Sequence, residues 1–345
     1  MDLSGVTRDV VVPVRIDPAG RSGPTPKASR GPRWRRTSQG YYVPAEVDPT
    51  PTDQRIVEAA AALPEDGGGV TGWAGLAWPG LRWFDGTPWG GGPLRLPTLA
   101  VGGNRAIRPQ ARFETSEERL APGDLIVVDG LRITIPVRSV CYEMRYARSD
   151  LDAAITLSMA CYDDLVSIEE VAAYGDTLNG WTGIPQCRDG IGLAVENAWS
   201  PAELPMGVMW GRTGLGRPLH NQPVFDLEGR HLGTPDLVDP VTGVLGQYDG
   251  GLHLAGAQRY RDLRGEEAYR GHGLEVVTML AGDARAPTLF LTRLAAAYER
   301  AVDIPDHRRQ WTIEQPDWWH DTSTVAARRA LPPHLRPRLL RYRAA

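Results

Sequence analysis

The chain has 345 residues, a length suited to two or three domains with real cores rather than one. Its composition is globular, 42% hydrophobic and 23% charged at net charge −4, and no apolar run reaches the ~18 residues of a bilayer span, so no membrane association is expected. Cys141, Cys161 and Cys187 are an odd number without CxxC or Cys/His spacing, which argues against a zinc site or a disulfide framework and for buried free thiols.

The N-terminus MDLSGVTRDVVVPV lacks a basic n-region followed by a long apolar core, so a cytoplasmic protein is expected. Lys27 is the only lysine, and nearly all positive charge is arginine. Residues 17–40 are rich in Pro, Gly and Ser and contain the basic cluster SRGPRWRR, with Arg33, Arg35 and Arg36 suited to phosphate contact. TSQGYYVP then alternates as a strand, and TPTDQRIVEAAAALP predicts a helix from Thr52 to before Pro64. The Gly/Trp-rich stretch with Trp73, Trp78, Trp83 and Trp89 offers rings that could stack on bases, but packing as the core of a loop-rich layer is expected. Strand signals recur at LRLPTLAV and at DLIVVDGLRITIPVRS, where Asp129-Gly130 predicts a hairpin turn.

From Val137 to about Trp181 the period becomes helical, with Ser149 and Ser167 as caps. IGLAVENAW and the segment after Ser200 also read as helical. NQPVFDL, GRHLGTPDLVD and GVLGQYD then read as successive strands, AGAQRYRDLRGEEAYRGHG as a helix closed by Gly273, LEVVTML as a buried strand and Pro287–Ala301 as a helix. The end, ARRALPPHLRPRLLRYR, contains no acid and reads as a basic tail.

Gln247 and Asp249 lie two apart on one strand and so share a face, which Asp236 can reach from the neighbouring strand. Two carboxylates and an amide oxygen there suit Mg²⁺, a hard cation that takes few protein ligands and keeps its waters. Glu203 on its helix is placed to support the metal or its water, His253 to move a proton or contact phosphate, and Arg261 and Arg264 to neutralise phosphate oxygens.

Ser200-Pro201-Ala202-Glu203, Gly233 through Asp236, Gln247-Tyr248-Asp249-Gly250 with His253, and Arg261-Asp262 with Arg264 together resemble the very-short-patch-repair (Vsr-like) endonuclease-related domain of the PD-(D/E)XK superfamily. The match covers roughly residues 195–285. The resemblance implies an α/β (α+β overall) fold with a mixed-sheet nuclease core behind a hairpin and an α-rich region. It implies catalytic roles for Glu203, Asp236, Gln247, Asp249 and His253, with Mg²⁺ on Asp236, Gln247 and Asp249. Asp249 occupies the place of the superfamily's lysine, as in Vsr-like enzymes. Gln247 stands where Glu is usual and removes a charge; an ion–ion term at 4 Å is on the order of ~4 kcal/mol gross at an effective dielectric of ~20, so weaker Mg²⁺ binding is expected.

The front part, through RWRRTSQGYYVP, GVTGWAGL and VVDGLRITIPVRSVCYEM, resembles AbiEi-type antitoxin and transcription-regulator proteins, with Arg138 matched and Glu143 near the place of an Asp. The segment before GYYV is short for a complete winged helix. Four regions are expected: 1–135 AbiEi-like, 136–189 helical, 190–303 Vsr-like and 304–345 basic tail. Three functions follow from the resemblances. The first is a DNA-associated protein with a Vsr-like fold and weak or lost Mg-dependent cleavage. The second is an antitoxin or regulator acting by contact with a cognate toxin protein, and the third an active endonuclease using Gln247 as a neutral ligand.

Overall fold

The computed structural model describes residues 1–103, 107–250 and 265–344. His253, Arg261 and Arg264 lie outside the described residues. The chain has an α/β fold with mixed sheets and divides into two compact units, residues 1–156 with 169–188, and residues 157–168 with 189–345. The end of the chain read as a basic tail is thus part of the second unit. Among the described residues no helix is long and apolar enough to cross a membrane.

In the first unit, β1 (Val14–Arg15), β2 (Trp34–Ser38) and β3 (Tyr41–Pro44) form a small antiparallel sheet, so the GYYV strand has a preceding partner. Helix α1 (Thr52–Ala60) follows. The main sheet takes β4 (Gly69–Thr71), β5 (Thr98–Ala100), β6 (Glu114–Ser116), β7 (Leu125–Val128) and β8 (Leu131–Thr134) in the order β6-β5-β4-β8-β7. The strand expected over Leu94–Val101 shortens to β5, because Pro97 has no N–H to give to a ladder. Asp129 and Gly130 both have positive φ (42° and 71°), the turn geometry that a two-residue hairpin of right-twisted strands requires.

Helix α2 (Gly72–Ala77) carries Trp73 and, just past its end, Trp78, both buried. Their indole N–H groups donate to the Leu96 and Val128 carbonyls, so these rings are core with satisfied polar edges. Helices α3 (Pro136–Arg145), α4 (Asp150–Tyr162), α5 (Ile168–Asp176) and α6 (Ile184–Leu193) make up the helical middle of the sequence. Ser149 Oγ accepts from Asp152 N–H and caps α4 as expected. The predicted helix over IGLAVENAW ends at Leu193 instead. Beyond it Glu196 accepts from the Ile168 and Val325 N–H groups, and the Asn197 amide donates to the carbonyls of His220 and Asn221. These side chains serve neighbouring backbone in place of a helix ladder.

The second unit is built on α7 (Glu203–Arg212), β9 (Leu219–His220), β10 (Val224–Phe225), β11 (His231–Gly233), β12 (Leu237–Val238), β13 (Val244–Asp249) and β14 (Glu275–Leu280). Its sheet runs β14-β13-β12-β9, with β9, β12 and β13 antiparallel in turn and β14 parallel to β13. Residues 265–271, between β13 and β14, are helical, and the helix Pro287–Val302 follows β14. The expected three-strand meander is therefore present with a different first member. Leu219–His220 pairs with β12, whereas Val224–Phe225 pairs with β11 in a separate ribbon.

One face of the sheet packs Met206 and Trp210 of α7 and Phe290, Leu294 and Tyr298 of the Pro287–Val302 helix against Leu237, Val244, Val277 and Met279. Gly246 is required for this, since a Cβ there would stand 2.8 Å from the Trp210 ring. Val238, Leu245, Tyr269, Leu274 and Val276 form the core of the other face.

Candidate functional site

Glu203 is the first residue of α7 and only 3% exposed. Its Oε2 accepts from the Trp199 N–H (2.9 Å) and the Asn221 amide Nδ2 (2.6 Å), so the carboxylate is held by the turn before its own helix and by the residue after β9. Asn221 has φ 45°, a left-handed conformation that Asn tolerates better than most residues. Its N–H donates to the Asp236 carbonyl (2.9 Å). Asn221 thus ties Glu203 to the strand that leads into β12.

Asp236 lies immediately before β12, and the antiparallel register Leu237↔Gly246 carried one step outward sets it against Gln247. Its Oδ2 accepts the Tyr248 N–H (2.6 Å), which fixes the side chain against β13 between Gln247 and Asp249. Alternation places Gln247 and Asp249 on the face of Leu245 and Tyr269, opposite Tyr248. Three of the expected site residues, Asp236, Gln247 and Asp249, therefore share one face of the β12–β13 pair, and Glu203 at the start of α7 feels the Asp236 charge.

The electrostatics of the pair are unusual. Burial first, and the Asp236 charge second, push the Glu203 carboxyl up to about 8, against the hydrogen bonds from Trp199, Asn221 and Ser200. Burial pushes Asp236 up to about 6, opposed by the Tyr248 N–H. Burial also raises Tyr269 to about 12, with the Asp236 charge adding to it. Neither Glu203 nor Asp236 has an ion-pair partner among the described residues. His220 faces α7 across Gly207, where a Cβ would meet its Nε2 at 2.6 Å, and burial alone pushes its imidazole down to about 4. A neutral His220 brings no compensating charge.

Among the described residues no group of three His, Cys, Asp or Glu converges as a metal cluster. The oxygen donors available are the carboxyls of Glu203 and Asp236 and the Gln247 amide, a small hard set in which neither acid has a counter-charge among the described residues. That donor chemistry fits a divalent cation that retains most of its waters. Asn197, His220, Asn221 and Tyr269 were not singled out from the sequence. The one local signal for them is Asn221 in NQP, a residue pattern that favours a left-handed turn.

The arginines expected to meet nucleic acid divide by environment. Arg35 is turned inward, its Nη2 and Nη1 donating to Glu58 Oε1 and Oε2 (2.7 and 2.9 Å). Arg33 and Arg36 are exposed, and Arg36 Nε donates to the Ser38 carbonyl. No family model, curated protein or solved structure matches the chain.

Proposed function

We propose that the second unit is a nucleic-acid-binding domain of the Vsr-like endonuclease type, with Mg²⁺-dependent phosphodiester cleavage weakened by Gln247. The observation that carries this reading is buried Glu203 and half-buried Asp236, the latter set against Gln247, on a helix, three antiparallel strands, a helical segment and a parallel strand, in that chain order. DNA is the proposed partner. Glu203, Asp236 and Gln247 would hold the cation, with Asp249 on the same face of β13. When bound, the cation supplies charge to polarise a phosphate and acidify a water.

The chain's own residues prepare that site. Tyr248 N–H and Asn221 fix the orientation of Asp236 and Glu203, so neither carboxylate has to reorganise to meet a ligand. The low polarity that raises both carboxyls also strengthens their attraction for a cation. Gln247 keeps a carbonyl donor but removes one formal charge, which lowers affinity without disturbing the strand.

The test is plasmid nicking in Mg²⁺ and Mn²⁺ by wild type, Gln247→Glu and Gln247→Glu/Asp236→Ala, with EDTA controls. Gln247→Glu should raise cleavage about tenfold or more, since ~1.4 kcal/mol of recovered ion pairing already gives that factor. The double variant should be inactive. Equal EDTA-sensitive cleavage by wild type and Gln247→Glu would make Gln247 an adequate ligand and the protein an active endonuclease. Absence of nicking by all variants would leave a binding domain only. The alternative, an antitoxin or regulator contacting a cognate toxin, draws no specific support from the first unit, where Arg138 and Glu143 of the AbiEi-type resemblance are buried in internal pairs.

A further inference from the structure

A cavity of about 650 Å³ opens beside the Glu203–Asp236 pair and shares its wall with it. Trp199 and Asn221, which donate to Glu203, both line the cavity. Asn197, Pro223, His231 and Thr234 add to this side, and the rest of the wall, with Asp321 in it, comes from the end of the chain. Tyr342 stacks on Trp199 with ring centroids 4.0 Å apart and planes 7° from parallel. Trp318 is 57% exposed and meets Trp319 and Phe225 at near right angles, so neither of these rings covers it as a parallel stack.

The charges of this wall are divided in an informative way. Asp164 accepts from Arg328 (2.6 Å) and Arg343 (2.8 Å) and lies 3.4 Å from Arg336, so those three arginines are spent in holding the C-terminal segment. Arg338 and Arg341 lie between Arg336 and Arg343 in sequence, line the cavity, are exposed and make no ion pair among the described residues. Asn221 is 2% exposed, and its Oδ1 has no hydrogen-bond partner. Its Nδ2 is fixed by the Asn197 carbonyl (2.7 Å) and Glu203, so the unpaired atom is the acceptor.

Flat aromatic faces, two unpaired cations and an adjoining pair of carboxylates call for a ligand with an aromatic plane and an anionic link. A base in a duplex hides its face by stacking on its neighbours, whereas an unpaired base offers it. We propose that this cavity seats an unpaired nucleotide of a nucleic-acid strand, its base against Trp318 and its phosphates against Arg338 and Arg341. This names the substrate form for the second unit and rests on the nucleic-acid reading above. The size lies within the ~300–1,000 Å³ of ligand pockets generally.

The test measures binding of the full chain in EDTA by fluorescence anisotropy. Three fluorescein-labelled 12-mers of equal charge are used: (dT)12, r(U)12 and a strand of base-free tetrahydrofuran sites. At least one base-bearing strand should bind about tenfold or more tighter than the base-free strand, as expected for one or more stacked bases. The tighter of (dT)12 and r(U)12 identifies the sugar. Trp318→Ala should remove the preference, whereas Trp318→Phe should keep much of it. Arg338→Gln/Arg341→Gln should weaken all three strands and reduce the salt slope by about 1.4, at ~0.7 per single-strand phosphate contact. Equal binding of base-bearing and base-free strands, or an undiminished preference in Trp318→Ala, would overturn the proposal. Nicking reads the carboxylate site separately: base preference without nicking removes the cleavage reading and leaves the cavity, and nicking without base preference does the reverse.

Discussion

The first unit matches its buried carboxylates with arginine, whereas the second does so for some and leaves others to neutral donors. In the first, Asp124 meets Arg138 at 3.0 Å, Glu118 meets Arg145 at 2.7 Å, and Glu143 meets Arg95 while also accepting the Trp73 N–H. In the second, Asp164, Asp226 and Asp283 meet arginines, yet Glu203 and Asp236 are met by neutral donors only among the described residues. Asp239 is also buried among neutral donors, so what sets Glu203 and Asp236 apart is that the charge of one acid raises the other. Perturbed, uncompensated groups of this kind cluster at functional sites, whereas paired ones serve packing.

The largest effect that would break this contrast lies in the first unit. Arg138 is almost fully buried and donates to Asp124, to the Tyr174 hydroxyl (3.1 Å) and to the Arg119 carbonyl (3.0 Å). Arg138→Met should therefore cost about 3–5 kcal/mol, because it leaves Asp124 buried beside unmatched neighbours. Urea unfolding followed by tryptophan fluorescence measures this, and a loss below about 1 kcal/mol would show that the network is not a stability element.

In the second unit the corresponding change has the opposite sign. Glu203→Gln removes one of two mutually repelling buried acids and should stabilise the protein by on the order of 2 kcal/mol at pH 8 in EDTA. The pH dependence follows from the raised carboxyls. Between the ordinary Glu value near 4.5 and about 8 the folded state holds a proton that the unfolded state has released. The stabilisation is complete below about 4.5 and is lost as pH rises toward 8, so stability should fall across that interval. The raised Asp236 adds the same sign up to about 6. Unfolding curves at stepped pH should show a shallower decline in Glu203→Gln than in wild type. A steeper decline would mean that Glu203 is paired in the folded protein.

How much of this was legible in sequence depended on how local the cause was. The Asp129-Gly130 hairpin follows from two adjacent residues whose turn chemistry needs no tertiary help. Gln247 and Asp249 could be read as an amide and an acid at strand spacing with Asp236 on the neighbouring strand, whereas Glu203 entered through the motif resemblance. The first sheet strand was not, because Val224–Phe225 has the stronger β composition. Leu219–His220 instead takes the place beside β12, and the Asn221 N–H continues that pairing to the Asp236 carbonyl. The cavity was beyond reach for a different reason: Trp318, Arg338, Arg341 and Tyr342 read as parts of a basic tail until folding sets Tyr342 on Trp199. Arginines of structural and unpaired roles within one basic stretch leave no trace in composition.

The smallest predicted effect concerns the arginines near the start of the chain, where the contrast between spent and available charge recurs within four residues. Arg35 makes a two-pronged contact with Glu58, which is 2% exposed and also accepts from Gln54, so Arg35→Gln should destabilise the first unit by about 1–3 kcal/mol. Arg33 and Arg36 are exposed, and Arg33→Gln/Arg36→Gln should change stability by no more than about 0.5 kcal/mol. If the exposed two contact duplex phosphates, the same double variant should lower the slope of log affinity against log salt by about 1.8, at ~0.9 per contact. The measurement is a salt titration of binding to a fluorescent duplex, paired with unfolding curves for both variants. An unchanged slope would assign Arg33 and Arg36 to solvent, and would confine nucleic-acid contact to the second unit, where Arg338 and Arg341 border the cavity beside Glu203 and Asp236.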